Sequence, residues 1–325
     1  MKPMFARAAG APPGARPPLP LSRLVRAELR HLLAPRPVRW FLYALAPLLL
    51  LYCAAAFASH HTDMSAAWSA AEEAHRRYAA DGVRRPAGTW EKLSPEYFFD
   101  DPRYQMVKAS FVDLRAIGSG LAVAALVLGV FSGGRDWSSR VMLTLAAAEP
   151  RRFRLFAVRG LLVMAVPAVV TVMASALLVP LLLVVARFRG TLAGTDGHYW
   201  TVLAGITLRG ALLIGLVAAV GYGLGMLTRG LTTALGVALV YLVAAERLVQ
   251  DYAPALTELH LSAIVFAVFD ERLLMAADRT DCVGDIACAA MREGTTATQA
   301  FAGLTLYLVP VLAAAAWRFV RRDIT

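Results

Sequence analysis

Long runs without a charged residue are the feature that most constrains how this chain can fold. Residues 40–58 form an uncharged run of 19 residues, and residues 160–186 form one of 27. A helix needs roughly 20 apolar residues to cross about 30 Å of hydrocarbon. Only 17% of the 325 residues are charged, whereas a soluble domain has about 25%. The chain is therefore predicted to be a multi-span membrane protein.

Six such runs predict an all-α polytopic fold with a single transmembrane domain over residues 40–325. The predicted spans are 40–58, 116–134, 160–186, 200–227, 230–245 and 294–317. The fifth run is short, at 16 residues, and the fourth is interrupted only by Arg209. Arg209 is thus the candidate intramembrane charge. It either extends to the outer interface, which we favour, or contacts a substrate.

The distribution of Lys and Arg predicts the orientation of the spans. Eight basic residues precede the first span, and further basic residues follow the second, fourth and sixth spans. Since cytoplasmic loops are rich in Lys and Arg, both termini are expected in the cytoplasm. Residues 59–115 and 246–293 then form the two long outer loops. The net charge of +10 is explained by topology and by anionic lipids of the cell membrane, so nucleic-acid binding is not expected.

The segment before the first span has two parts. Residues 1–20, rich in Ala, Pro and Gly, are expected to be disordered. Residues 21–34 fit an amphipathic helix on the inner membrane surface, with leucines on one face. Arg23, Arg26 and Arg30 fall on the other face, and Glu28 interrupts the apolar one. This interface helix is either a plain membrane anchor or also a contact for a cytoplasmic partner.

The loop between the second and third spans carries the most specific pattern. Asp136 can cap a helix, and Pro150 ends that helix at Glu149. Val141 and Leu145 share one side of it. Arg151 and Arg152, together with Arg154 and Arg159, are expected to lie against anionic head groups.

This arrangement resembles the permease subunit of ABC-2-type transporters. Asp136 holds the family's acidic position, Leu143 and Leu145 its leucines, and Pro150 with Arg152 its exit into the third span. Arg140 and Val141 replace the family's Gly-Thr pair. The resemblance implies a coupling helix that docks on a separate ABC ATPase, with the interface helix beside it. The residues it assigns to coupling are Asp136, Arg140, Val141, Leu145, Glu149, Arg151 and Arg152, and those of the interface helix are Arg23, Arg26, Glu28 and Arg30.

The resemblance also implies that two chains, identical or paralogous, form a path across the membrane and that the direction is export. ATP-Mg would bind to the partner subunit. This chain has three lysines, and none lies in the G-K-[ST] sequence that a P-loop requires. No cofactor and no enzymatic activity are therefore expected in this chain. The glycines of "FSGGRD", 131–136, are interpreted as helix-end residues, and those of "GYGLG", 221–225, as sites of close helix packing.

Two other classes of function stay open at this point. The first is a membrane scaffold or sensor without transport, which binds a partner through its basic loops. The second is an intramembrane enzyme, which is disfavoured because no Ser-His-Asp, H-E-x-x-H or paired-carboxylate pattern is present in the sequence.

Cysteine positions agree with the predicted orientation. Cys282 and Cys288 lie in the second outer loop, where an oxidising space would favour a disulfide. A metal pair is the alternative, although two thiolates make only half a zinc site. Cys53 is interpreted as a buried thiol. The apolar segment 259–269 is too short to cross and either re-enters the membrane or lies at its outer interface, which we slightly favour.

Overall fold

The computed structural model describes residues 20–82, 94–138, 152–252, 260, 261, 264, 265 and 297–321. The helices before the 136–152 segment are α1 (Leu21–Leu33), α2 (Arg36–Ser59), α3 (Ser65–Gly82) and α4 (Met106–Ser138). After it come α5 (Arg152–Arg189), α6 (Gly197–Thr228), α7 (Leu231–Val240), α8 (Glu246–Tyr252) and α9 (Ala297–Arg321). A 3-10 turn covers Pro95–Phe98, and a π-helical turn, Tyr241–Ala245, joins α7 to α8.

Six stretches of these helices are long and apolar enough to cross a membrane, which confirms the all-α, six-span prediction. They are Arg36–Ser59, Met106–Arg135, Phe153–Arg189, Gly197–Thr228, Leu231–Leu248 and Gln299–Arg321. The largest difference from the prediction is α4, which begins ten residues before residue 116. Asp113 therefore belongs to a spanning helix and not to the outer loop where the sequence analysis placed it.

Helix α6 lies at the centre of the bundle and packs against α4, α5 and α9. Its start is fixed by Asp196, whose carboxylate accepts a hydrogen bond from the Tyr199 amide at 2.8 Å. This is the usual capping contact for the exposed amides of a first turn.

Helices α4 and α6 approach closely because glycines face each other along their contact. A Cβ atom added at Gly129 would lie 2.0 Å from the Ala218 carbonyl oxygen, and one at Gly221 would lie 2.4 Å from the Leu126 carbonyl oxygen. Gly133 and Gly225 are equally confined. The packing role predicted for the glycines of 221–225 is confirmed for Gly221 and Gly225 against α4, and for Gly223 against α9. The helix-end interpretation of Gly133 and Gly134 is wrong, since α4 continues to Ser138.

The bundle has two ends, which we name by their charge. At the basic end, α2 begins at Arg36, α4 ends at Ser138 and α5 begins at Arg152. Helix α9 also ends there, where the Arg318 guanidinium donates a hydrogen bond to the Leu227 carbonyl of α6. The opposite end, at Ser59 and Met106, is the far end.

A small folded cap covers the far end. Helix α3 contacts the 3-10 turn, and Trp68 stacks on Phe99 with ring centroids 4.3 Å apart. Next in the chain, the two-residue strand β1 (Tyr104–Gln105) pairs in parallel with β2 (Gly190–Thr191). This pairing ties the start of α4 to the end of α5, so the cap is joined to the helices beneath it.

A buried carboxylate joins three elements at the far end. Asp113 of α4 accepts hydrogen bonds from the Tyr52 hydroxyl of α2 at 2.6 Å and from the Tyr104 hydroxyl at 2.5 Å. Burial, followed by the hydrogen bond to Asp113, raises the pKa of Tyr104 above its usual value, so this hydroxyl remains a donor at neutral pH. The cluster therefore connects α2, β1 and α4.

Removing the buried hydroxyl by the change Tyr104→Phe should lower the free energy of unfolding by about 1–3 kcal/mol, because Asp113 loses one of its two tyrosine donors. Thermal unfolding of the detergent-solubilised protein measures this loss. The control is Tyr97→Phe, since Tyr97 is 71% exposed. An equal change in both variants would contradict a stabilising role for the Asp113 cluster.

Candidate coupling surface at the basic end

The interface helix α1 packs against α5 through a stripe with helical spacing. Leu24, Glu28 and Leu32 are four residues apart, and all three are buried. Arg23, Arg26 and Arg30 are exposed on the opposite face, as predicted. Glu28 lies at the centre of this buried stripe, between the two leucines, as the sequence places it, and its burial is the new finding.

Glu28 is buried because it faces a cation of the bundle. Its Oε2 atom lies 3.9 Å from the Nε atom of Arg159 in α5, and the two side chains are only 5% and 6% exposed. A buried charge is costly unless an opposite charge lies near it. Arg159 was expected to extend toward lipid head groups, and this expectation is wrong. The pair instead connects α1 to α5 about two turns after α5 begins.

The structure changes the predicted start of the 136–152 helix. The backbone of α4 continues through Asp136 to Ser138, so Asp136 lies in the last turn of α4 and does not start a new helix. Arg152 is the first residue of α5. The remaining residues assigned to coupling, Arg140, Val141, Leu145, Glu149 and Arg151, lie outside the described residues. The described part of the chain therefore ends at Ser138 in α4 and resumes at Arg152 in α5.

The end of α4 is held against the neighbouring helices. A Cβ atom added at Gly134 would lie 3.1 Å from the Leu231 backbone, so α4 and α7 nearly touch there. The guanidinium of Arg135 lies over the Phe131 ring, 5.3 Å from its centroid. At the end of α6, Arg229 adopts a left-handed conformation with φ 56°, and its amide donates to the Gly225 carbonyl. The approach of Gly134 to Leu231 therefore places the end of α4 beside the start of α7.

The other residues singled out from the sequence lie away from this surface. Arg209 is exposed on α6 beside Leu208, which is 69% exposed, so it faces away from the bundle interior. Cys53 is buried, as predicted. Cys282 and Cys288 lie outside the described residues, as do residues 1–19 and most of the 259–269 segment.

Besides Arg159, two acidic residues buried within the described spans were missed by the sequence analysis, which named only Arg209 as an intramembrane charge. Asp113 is buried in α4 and Glu246 at the start of α8. Both were assigned to loops or span edges, because a charge lowers the local hydropathy on which the prediction of spans depends. Their burial became visible only from the packing of helices that are distant in sequence.

Fold, hydropathy and charge together define the class: a helical, multi-span membrane protein with an amphipathic helix packed at its basic end. No family model, curated protein or solved structure matches the chain. The class is therefore established by the physical properties of the chain, and its particular function is a matter for proposal.

Proposed function

We propose that this chain is the permease subunit of an ABC-2-type exporter, driven by a separate cytoplasmic ATPase that binds ATP-Mg. In this proposal the basic end faces the cytoplasm of the cell. Two copies of this chain, or this chain and a paralogue, form the path across the membrane. The 136–152 segment contacts the ATPase and transmits its conformational change to the spanning helices.

The observation that carries the proposal is the buried Glu28–Arg159 pair. It joins α1 to α5 close to where α5 leaves the 136–152 segment. A displacement of that segment would therefore move α5 and α1 together, and not α5 alone. A permease driven by a separate ATPase requires such a connection, from the segment that contacts the ATPase to a spanning helix and to the helix at the membrane surface.

The surface that a partner ATPase would contact is strongly basic. Arg23, Arg26 and Arg30 are exposed on α1, and Phe153 is 64% exposed at the start of α5. Exposed cations together with an exposed apolar residue suit either a partner protein with acidic groups or anionic lipid head groups. The partner is favoured for the 136–152 segment itself, because Val141 and Leu145 would lie on one side of a helix.

The first experiment is co-purification. The chain, solubilised in a mild detergent from its native cells, should bring down a nucleotide-binding subunit. The absence of any such protein would remove the main support for the transporter and favour the scaffold or sensor. Nucleotide hydrolysis by the isolated chain would contradict the proposal directly.

Replacing Val141 and Leu145 together with Asp should abolish partner binding, because two charges would enter the apolar side of the docking helix. We expect the amount of co-purified ATPase to fall by more than about tenfold. A tenfold weaker affinity corresponds to a loss of about 1.4 kcal/mol of binding free energy. The protein should still insert into the membrane at wild-type levels. Loss of insertion would instead assign the segment a structural role.

The matched control is Tyr97→Asp, which places one charge on an exposed aromatic residue at the far end. This variant should retain the partner, because the far end is proposed to face away from the cytoplasm. Equal loss of the partner in both variants would contradict docking at the 136–152 segment.

A further inference from the structure

A cavity of about 310 Å³ lies between the first three spanning helices. It is lined by α2, α4 and α5, with Ile214 of α6 at its base. Its lining is almost entirely aliphatic and aromatic. The one hydroxyl, that of Thr171, donates a hydrogen bond to the Pro167 carbonyl within α5 at 2.8 Å. An occupant of this cavity therefore has to be apolar.

The cavity is elongated and lies toward the basic end. Helix α2 packs mainly on α5, and its hydrogen bond to α4 from Tyr52 is at the far end. Along α4 the lining runs from Leu121 to Phe131, which corresponds to about 15 Å at 1.5 Å per residue. Phe41 and Val127, on the two sides, are 39% and 45% exposed. The cavity therefore opens on the outer surface of the bundle, where membrane lipid would lie.

Three arginines lie at the basic end of the bundle, on the two helices α2 and α4 that line the cavity. Arg36 and Arg39 are exposed and flank Pro37 and Val38, which line the cavity. On the other side, Arg135 lies over Phe131, the last lining residue of α4. Arg36 and Arg39 are thus next in sequence to lining residues of α2, and Arg135 contacts a lining residue of α4.

Aromatic residues place these cations at the level of lipid head groups. Trp40 and Tyr43 are 71% and 69% exposed on the first turns of α2, with ring centroids 6.5 Å apart. Exposed Trp and Tyr are typical of the boundary between hydrocarbon and head groups. The apolar cavity therefore lies on the hydrocarbon side of this boundary, and the arginines lie at the head groups.

We propose that this cavity binds one anionic glycerophospholipid of the surrounding leaflet. One acyl chain fills the space between α2, α4 and α5, and the phosphate and anionic head group lie against Arg36, Arg39 and Arg135. Charge complementarity selects an anionic lipid over a zwitterionic one. The lipid holds α2 to the bundle where α2 and α4 diverge. This site is independent of the proposed transport function.

The test uses dioleoyl phosphatidylglycerol and dioleoyl phosphatidylcholine, added in equal amounts to the protein in mild detergent. Native mass spectrometry should show the wild-type chain retaining phosphatidylglycerol about tenfold more often. Ala124→Phe should lose retention of both lipids, because the ring would fill the cavity. Val169→Phe, on the exposed surface of α5 outside the cavity, should retain lipid as the wild type does. Should Ala124→Phe aggregate, Ala124→Leu replaces it.

The combined change Arg36→Gln, Arg39→Gln and Arg135→Gln should reduce the preference for phosphatidylglycerol to about one, with some lipid still retained. Its matched control removes three exposed cations of α1 at the same end, by Arg23→Gln, Arg26→Gln and Arg30→Gln, and should keep the preference. Equal retention of both lipids by the wild type would overturn the proposal, and so would unchanged retention in the cavity-filling variant.

A second copy of the chain is the competing occupant. Cross-linking in native membranes tests for this second copy. The variant used is Val127→Cys, made in a background in which the three native cysteines are replaced. No dimer should form through residue 127 if lipid covers the opening. Efficient cross-linking between two chains would assign the opening to a protein interface and overturn the lipid site.

Discussion

Replacing Gly129 with alanine should separate α4 from α6 and lower the free energy of unfolding by about 3 kcal/mol, near the upper end for overpacking. The added Cβ would lie 2.0 Å from the Ala218 carbonyl oxygen and 2.8 Å from the Tyr222 amide nitrogen. Both atoms are backbone, so no rotamer change can relieve the clash. Thermal unfolding of the detergent-solubilised protein, followed by far-UV circular dichroism, measures the effect.

Gly120→Ala is the matched control in the same helix. Among the described residues, no atom beyond the adjacent backbone of α4 lies within 4 Å of the position its Cβ would take, and alanine favours a helix over glycine by about 1 kcal/mol. This variant should be as stable as the wild type or slightly more so. If both substitutions changed the stability equally, close approach of the two helices would not be what Gly129 provides.

Removing the guanidinium of Arg159 by the change Arg159→Met should cost about 3 kcal/mol, because Glu28 stays buried without that cation beside it. Helix α1 should then separate from α5 more readily. Limited trypsin digestion detects this, since Arg23, Arg26 and Arg30 become cleavable when α1 unfolds locally. We expect faster cleavage there and a lower unfolding temperature.

A double-mutant cycle with Glu28→Gln isolates the interaction between the two charges. The double variant should be less destabilised than the sum of the two single variants, because neither charge of this pair is then left buried without the other. Arg26→Met, which changes an exposed cation of α1, should alter the stability by no more than about 0.5 kcal/mol. Strict additivity in the cycle would contradict direct coupling of Glu28 with Arg159.

The spans could be predicted from the sequence because hydropathy and helix length depend only on local composition. The start of α4 could not, because Asp113 interrupts the hydrophobic pattern and is accommodated by hydrogen bonds from two tyrosines of other elements. The burial of Glu28 could have been predicted from its spacing of four residues from Leu24 and Leu32, which places it on the same helical face. Its partner Arg159 is more than a hundred residues away in sequence and was not predictable from spacing.

The candidate coupling site shows the same division. The sequence indicates which residues of α1 are exposed, because three arginines on one helical face are a periodic pattern. It suggested a cap at Asp136, but the second spanning helix simply continues past that residue. Whether a helix begins at Asp136 or continues past it depends on the packing of α4 against α6 and α7, which local capping preferences do not include. The four-residue spacing of Gly129 and Gly133 was a usable signal of that packing.

The facing glycines of α4 and α6 have a mechanical consequence. With backbones this close, sliding one helix along the other by a single residue would bring side chains into positions that accept only hydrogen atoms. The two helices therefore form a rigid pair at the centre of the bundle. Arg318 attaches α9 to this pair through its hydrogen bond to α6. Any change of shape of the bundle would therefore have to occur around this rigid pair, at the contacts with α2 and α5.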